Sequence, residues 1–233
     1  MKKLKSIEIF NIIFLIFVII SDFCYMKINT SEYITKTIAS VIFVAGGAVN
    51  LFYALKHKSQ FDFKPNFKYW LMAGLFSAML GDILLIDFFV AGVIFFALGH
   101  VLYFIAFCTI TRINWLDIIV GCIIFILSAC VILFYKNFEF AGLKFVILIY
   151  ALIISMMVGK TISNLIRDPS AKNTLLVLGS VLFFLSDLML LFRRFGGAPI
   201  LVSDLCLIFY YPAEFLLAYS IYYVSKNNLV KEN

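Results

Sequence analysis

Residues 89–111 read FVAGVIFFALGHVLYFIAFCTIT, 23 consecutive positions without an Asp, Glu, Lys or Arg. At a rise of roughly 1.5 Å per residue, a helix of this length reaches across the ~30 Å hydrocarbon core of a bilayer. The stretch therefore reads as a membrane span, and the rest of the chain can be laid out from it. Similar runs on both sides predict eight spans, at 7–26, 36–55, 67–86, 89–111, 113–134, 141–162, 173–193 and 202–224. Each is expected to be helical, because an open strand in lipid leaves its backbone N–H and C=O groups without partners.

Composition supports the same assignment. The 233 residues are 64% hydrophobic and only 14% charged, with a mean hydropathy of +1.06. A water-soluble fold of this size exposes too much surface to hide so many apolar side chains. The expectation is all-α: one integral-membrane domain over residues 1–233, a polytopic helical bundle with no room for a soluble module. That excludes a nucleotide-binding α/β domain, a nucleic-acid binder and a secreted disulfide scaffold. The five cysteines (Cys24, Cys108, Cys122, Cys130 and Cys206) lie in apolar runs without CxxC spacing and read as small core hydrophobes. The opening MKKLKSIEIFNIIFLIFVII has the charged and apolar parts of a signal peptide, but no small-residue cleavage site follows. It reads as an uncleaved first span.

The connectors are short, and only HKSQFDFKPNFK, from His57 to Lys68, approaches a loop. Lys and Arg divide unevenly between alternate connectors. Thirteen fall on one side (Lys2, Lys3, Lys5, Lys56, Lys58, Lys64, Lys68, Arg112, Lys160, Arg167, Lys172, Lys226 and Lys231) and six on the other. The positive-inside rule places both termini in the cytoplasm, consistent with an even number of spans. In a bacterium the host membrane is the cell membrane. An internal echo links LFSAMLGDILL of span three with LGSVLFFLSDLML of span seven, four helices apart, as in transporters built from parallel repeats.

Ionisable side chains within spans carry the functional information. An Asp at a helix centre costs about 2.5–3.5 kcal/mol on insertion scales and usually faces an interior cavity. Asp82, His100, Asp187 and Glu214 are such residues, while Glu8, Asp22, Lys36 and Asp204 lie nearer span ends. Asp82 and Asp187 come roughly 6–9 Å below the outer end, and His100, Tyr103, Tyr210, Tyr211 and Glu214 about 12–21 Å below it. Phe96, His100 and Tyr103 share a helix face, as do Tyr210 and Glu214, a spacing that suits a phenol–carboxylate pair. Each of these groups also has a plain structural use as a hydrogen bond between helices. Arg193 and Arg194 suit a lipid phosphate or the outer interface, and AYSIYYV at 218–224 reads as an aromatic belt. With two histidines, one of them His57 in a connector, and no HExxH or GxSxG pattern, no metal site, cofactor or serine-lipase elbow is expected.

Taken in order, GDILL at 81–85, VAGVIFFALGHVLYFIAF at 90–107, LSDLMLLFRRF at 185–195 and YYPAEFLLAYS at 210–220 resemble the YhhN family. That family has an eight-span membrane fold and includes the animal lysoplasmalogenases. The matching positions are Gly81 and Asp82; Gly92, Phe96, His100 and Tyr103; Ser186 and Asp187; and Tyr210, Tyr211 and Ala213. Two positions depart from its pattern: Glu214 stands where the family usually has Gln, and Lys36 is followed by Thr37 rather than Pro.

The resemblance implies hydrolysis of the vinyl ether of a lysoplasmalogen, an ether lysophospholipid drawn from the membrane, with no nucleic-acid partner. Cleavage begins with protonation of the vinyl carbon, and water captures the resulting oxocarbenium ion. The chemistry needs one carboxyl in its acid form and a second carboxylate, as in glycoside hydrolysis. Asp82 and Asp187 are the expected catalytic pair. Lys36, His100, Tyr103, Ser186, Arg194, Tyr210, Tyr211 and Glu214 are the expected substrate-binding residues. A small proton-coupled transporter and a non-catalytic lipid-binding protein are the competing readings, and the sequence sets no oligomeric state.

Overall fold

The structure, a computed structural model, describes residues 6–27, 32–56 and 65–225, with side chains described at 6–20, 36–56 and 66–224. Among the described residues there are eight helices and no strand. They are α1 (Ser6–Lys27), α2 (Glu32–Lys56), α3 (Pro65–Asp87), α4 (Phe89–Ile110), α5 (Trp115–Phe134), α6 (Lys144–Arg167), α7 (Ala171–Phe195) and α8 (Ile200–Ser225). Seven of them, α2 to α8, are long and apolar enough to cross a membrane, and α1 contributes a shorter apolar stretch, Ser6–Ile20.

Local chemistry sets several helix ends. Pro65 opens α3, where its missing N–H costs nothing. Asn114 caps α5 by accepting from the Leu116 N–H, while Asp117 accepts from the Asn114 N–H in return, a capping box. Pro212 lies inside α8 without ending it.

The helices pack as two similar sets. Helices α3 and α4 form one tightly joined pair, with only Phe88 between them, and α7 and α8 form another. Helix α2 lies against α3 and α8; correspondingly, α6 lies against α7 and α4. The outer helices break the likeness. Helix α1 touches both α2 and α8, whereas α5 packs on α6 and makes no comparable contact with α4 among the described residues. The α5–α6 approach depends on paired glycines, since a Cβ on Gly159 would lie 2.5 Å from the Gly121 Cα. Helix α1 is tied to α2 by reciprocal amide hydrogen bonds between Asn11 and Asn50, at 2.9 and 2.8 Å, both residues fully buried. The core between α2, α3, α4, α6, α7 and α8 is filled by Phe43, Leu71, Leu75, Phe107, Met157, Phe183 and Phe215, and α5 turns Ile123, Ile126 and Leu127 outward.

Some expectations change. Tyr222 of the supposed aromatic belt is fully buried and donates to Glu8 at 3.0 Å, so this segment holds α8 against α1 and Glu8 is not simply a solvated end. Lys68 and Lys160 belong to helices α3 and α6 and are buried rather than lying in connectors. Position near a span end does not reveal a side chain that turns inward. Lys2, Lys3, Lys5, His57, Lys58, Lys64, Lys226 and Lys231 lie outside the described residues, as do the side chains of Asp22 and Cys24.

Candidate functional site

Asp82 sits on the inner face of α3, 5% exposed. Its Oδ2 lies 2.5 Å from the Ser40 hydroxyl of α2 and accepts from the Tyr210 hydroxyl of α8 at 2.8 Å. Ser40 also reaches the Lys36 carbonyl, one turn back, at 2.7 Å. A hydroxyl has one proton to give, so both Ser40 contacts are hydrogen bonds at once when Asp82 supplies the other proton.

Asp187 occupies the corresponding place on α7, with its side chain 13% exposed. Its Oδ2 accepts from the Tyr150 hydroxyl of α6 at 2.7 Å and lies 3.1 Å from Nε2 of His100 on α4; Tyr150 and His100 are themselves 2.9 Å apart. His100 is fully buried, and its Nδ1 has no partner among the described residues. The Nε2–H tautomer leaves only a lone pair unsatisfied there, which is more easily tolerated than a buried N–H. Asp187 therefore faces two donors.

The two frames are crossed. Each Asp takes a hydroxyl from the helix preceding its own, Ser40 for one and Tyr150 for the other. Each takes its second group from the last helix of the other set, Tyr210 of α8 for Asp82 and His100 of α4 for Asp187. Between them stands Phe183, whose ring meets His100 at 4.6 Å, Tyr210 at 5.2 Å and Phe96 at 6.3 Å, all edge-on. The internal echo of spans three and seven thus has a counterpart in the hydrogen bonding.

Glu214 departs from expectation. Its helix neighbour Tyr210 bonds Asp82, and Glu214 Oε2 instead accepts from Tyr103 of α4 at 2.5 Å, with both residues fully buried. Spacing along α8 permits the pair Tyr210–Glu214, but Tyr210 turns toward α3 and Glu214 toward α4. Glu214 Oε1 has no partner among the described residues.

Two cavities lie at the end of the bundle that carries the α3–α4 and α7–α8 turns. A narrow apolar slot of about 70 Å³ runs between α4, α5, α6 and α7. Phe89, Val93, Phe96, Ile132, Ala151 and Leu191 form much of its wall, and Tyr150 and Asp187 stand in it. Beside it opens a polar vestibule of about 540 Å³, with Lys36, Asp87, Arg193, Arg194, Asp204 and Cys206 around it. Phe89 and Leu190 belong to both walls. Vestibule residues lie one helical turn beyond the Asp82 frame on three helices: Lys36 beyond Ser40, Leu85 beyond Asp82, and Cys206 beyond Tyr210.

Of the expected site residues, the structure joins Asp82 with Tyr210 and His100 with Asp187, and it sets the Lys36 backbone carbonyl against Ser40. Tyr103 pairs with Glu214, and Arg194 lies over the Phe89 ring at 4.7 Å. Ser186 contacts Cys206 at 3.3 Å, and the Tyr211 ring packs on Tyr210 at 4.9 Å. Nothing in the sequence singles out Ser40 and Tyr150, because a lone hydroxyl residue in an apolar helix carries no signal of its partner. Among the described residues, no group of three or more His, Cys, Asp or Glu is placed to hold a metal ion.

A second buried charge cluster lines neither cavity. Lys160 Nζ donates to Asp117 Oδ2 at 2.7 Å and to the Arg112 carbonyl at 3.0 Å, and Arg167 donates to Asp117 Oδ1 at 2.9 Å. Here the acid is matched by cations, and the cluster ties the α4–α5 turn to α6.

No curated protein and no solved structure matches the chain. A family model described as the YhhN family matches residues 31–221. That stretch contains both acid frames, both cavities and the greater part of the chain: the chain belongs to the YhhN family.

Proposed function

We propose that this protein is a membrane-embedded hydrolase that cleaves the vinyl ether of lysoplasmalogens, releasing a fatty aldehyde and a glycerophospho-alcohol. In this reading all eight helices span the membrane, with both termini cytoplasmic. The observation that carries it is the pair of carboxyls, Asp82 and Asp187, held in crossed frames, with Asp187 on the wall of an apolar slot and Asp82 one helical turn below a charged vestibule. An amphiphile lying across slot and vestibule presents its ether linkage between tail and headgroup, at the depth of the acids.

Asp82, whose contact with Ser40 is completed by a proton of its own, is the acid. It delivers that proton to the vinyl carbon remote from the ether oxygen. The carbon bonded to oxygen becomes an oxocarbenium ion, and Asp187, facing two donors, keeps its negative charge beside it. Water adds to that carbon and gives its proton to Asp187. The hemiacetal then collapses to aldehyde and alcohol as Asp187 gives its proton to the departing ether oxygen and Asp82 takes the hydroxyl proton, so one water is consumed and both carboxyls return to their starting states. The division of labour is that of paired carboxylates in glycoside hydrolysis. His100 and Tyr150 hold Asp187, and Tyr210 holds Asp82.

Purified protein is expected to release aldehyde from a lysoplasmalogen and none from the saturated alkyl ether of the same chain length. Absence of aldehyde from folded protein would overturn the reading. The correspondence between the two helix sets also favours a second reading, a small proton-coupled carrier, since repeated halves with buried acids recur in transporters. Substrate uptake into proteoliposomes without product formation would select the carrier.

A further inference from the structure

Helices α4 and α8 each reach across to the acid of the other set, α4 through His100 to Asp187 and α8 through Tyr210 to Asp82. About one turn deeper on the same helices stand Tyr103, at i+3 from His100, and Glu214, at i+4 from Tyr210. These two meet each other. The Tyr103 hydroxyl donates to Glu214 Oε2 at 2.5 Å, and both residues are fully buried. Along their lengths α4 lies against α3 and α6, and α8 against α7, α2, α1 and α3. Contact between α4 and α8 runs through side chains: the Tyr103–Glu214 bond and, nearer the acids, the Phe96 and Tyr210 rings at 5.8 Å. The bond is a strut between the two helices that each supply one arm of an acid frame.

Neighbouring residues are shaped around it. A Cβ on Gly74 of α3 would lie 2.3 Å from Tyr103 Cε1, so the glycine leaves the room that the phenol ring takes. The ring stacks on Phe107 at 6.5 Å and meets Phe183 edge-on at 6.5 Å, and Phe183 also packs on His100 and Tyr210. A ring wedged in this way fixes where its hydroxyl ends. Neither Tyr103 nor Glu214 lines the slot or the vestibule, so the structure does not place them, as the sequence suggested, against a bound lipid. A buried polar pair adds little net stability over well-packed apolar side chains of the same volume, but it fixes geometry closely.

We propose that Tyr103 and Glu214 are positioning residues, whose hydrogen bond holds α4 and α8 at the spacing at which His100 meets Asp187 and Tyr210 meets Asp82. The proposal deepens the hydrolase reading and rests on it for the effect on turnover, whereas the effect on His100 is independent of any reaction. The strut needs from position 214 an acceptor oxygen at the end of a side chain of this length. Glutamine supplies that oxygen and leucine does not. Loss of the strut misplaces the acids relative to each other without removing either, so kcat falls while KM, set at the cavity walls, stays.

The test compares Tyr103→Phe, Glu214→Leu, Glu214→Gln and the double variant Tyr103→Phe/Glu214→Leu as full chains in detergent micelles, by two readouts. In steady-state aldehyde release from a lysoplasmalogen, Tyr103→Phe and Glu214→Leu should each lower kcat about tenfold with KM within about twofold of the wild type, and the double variant should be no worse than either. Glu214→Gln should stay within about threefold of the wild type in kcat. The second readout is nitrogen NMR of labelled histidine. The chain has two histidines, so a His57→Asn background leaves His100 as the single imidazole. Its ring nitrogens should give the well-separated signals of the Nε2–H tautomer in the wild type and in Glu214→Gln, and should draw together in Tyr103→Phe and Glu214→Leu as Asp187 loses its hold and both tautomers become populated. Tyr103→Phe, which removes one oxygen and no packing volume, answers the question if Glu214→Leu does not fold. Unchanged kcat, a raised KM with kcat intact, a Glu214→Gln protein as impaired as Glu214→Leu, or His100 signals that are mixed in the wild type or unmoved in the variants would each overturn the proposal. His100 signals that respond as expected in a folded protein that releases no aldehyde would remove the hydrolase reading alone, and aldehyde release indifferent to these variants would remove only the strut.

Discussion

Asp82 and Asp187 stand at matching places in two similar sets of helices, and what surrounds them differs in one respect. Each takes a hydroxyl from the preceding helix and a second group from the opposite set. Around Asp82 the outer helix is α1, which closes against α8; around Asp187 it is α5, which packs on α6 and leaves the side toward α4 open. The apolar slot lies in that opening, and Asp187 is on its wall while Asp82 is not. The position of one outer helix thus leaves Asp82 enclosed between helices and Asp187 on the wall of a slot. Asp117, at the other buried cluster, shows the contrasting case, in which an acid already matched by Lys160 and Arg167 has no charge left for chemistry.

This comparison can be broken most forcefully at the acids themselves. Asp82→Asn and Asp187→Asn are each expected to lower aldehyde release by about a thousandfold or more, with the double variant scarcely worse than either single one, because the two act as a unit. Additive losses would show that the acids work independently. At Asp117 the effect should fall on stability. Lys160→Met leaves a buried carboxylate with the partly exposed Arg167 and the Asn114 N–H, and should cost about 3–5 kcal/mol in reversible unfolding, while turnover per folded molecule stays near that of the wild type. A large loss of turnover with unchanged stability would place this cluster in the reaction.

Smaller effects sharpen the comparison. Tyr150→Phe and Tyr210→Phe each remove one donor from one acid, and each should slow turnover about tenfold. If only Tyr150→Phe has an effect, Asp82 is not the acid. Ala151→Leu narrows the slot beside Tyr150 and should raise KM for long-chain substrates by about three- to tenfold, with kcat little changed, in steady-state assays. An equal effect on short chains would show that the tail lies elsewhere.

Much of this was legible in the sequence, for a physical reason. A bilayer admits few ionisable groups, so Asp82, His100, Asp187 and Glu214 are conspicuous against apolar runs, and those runs fix the helices to within a few residues. Partnership was less legible. Ser40 and Tyr150 look like ordinary members of apolar helices until α2 and α6 are packed against α3 and α7. Spacing along α8 offered Tyr210 as the partner of Glu214, but side-chain direction sends them to different helices, where they meet Asp82 and Tyr103. Lys160, counted with a cytoplasmic connector, is fully buried on α6 because Asp117 across the α5–α6 interface receives it.

The most direct test of the central claim is the isotopic composition of the aldehyde formed in deuterium oxide, reduced at once to the alcohol to prevent exchange. Protonation of the vinyl carbon by an exchangeable carboxyl predicts one deuterium at the carbon next to the former aldehyde carbon, and no labelled product from the Asp82→Asn or Asp187→Asn proteins. Aldehyde without deuterium at that carbon would contradict acid-catalysed vinyl-ether hydrolysis by this pair.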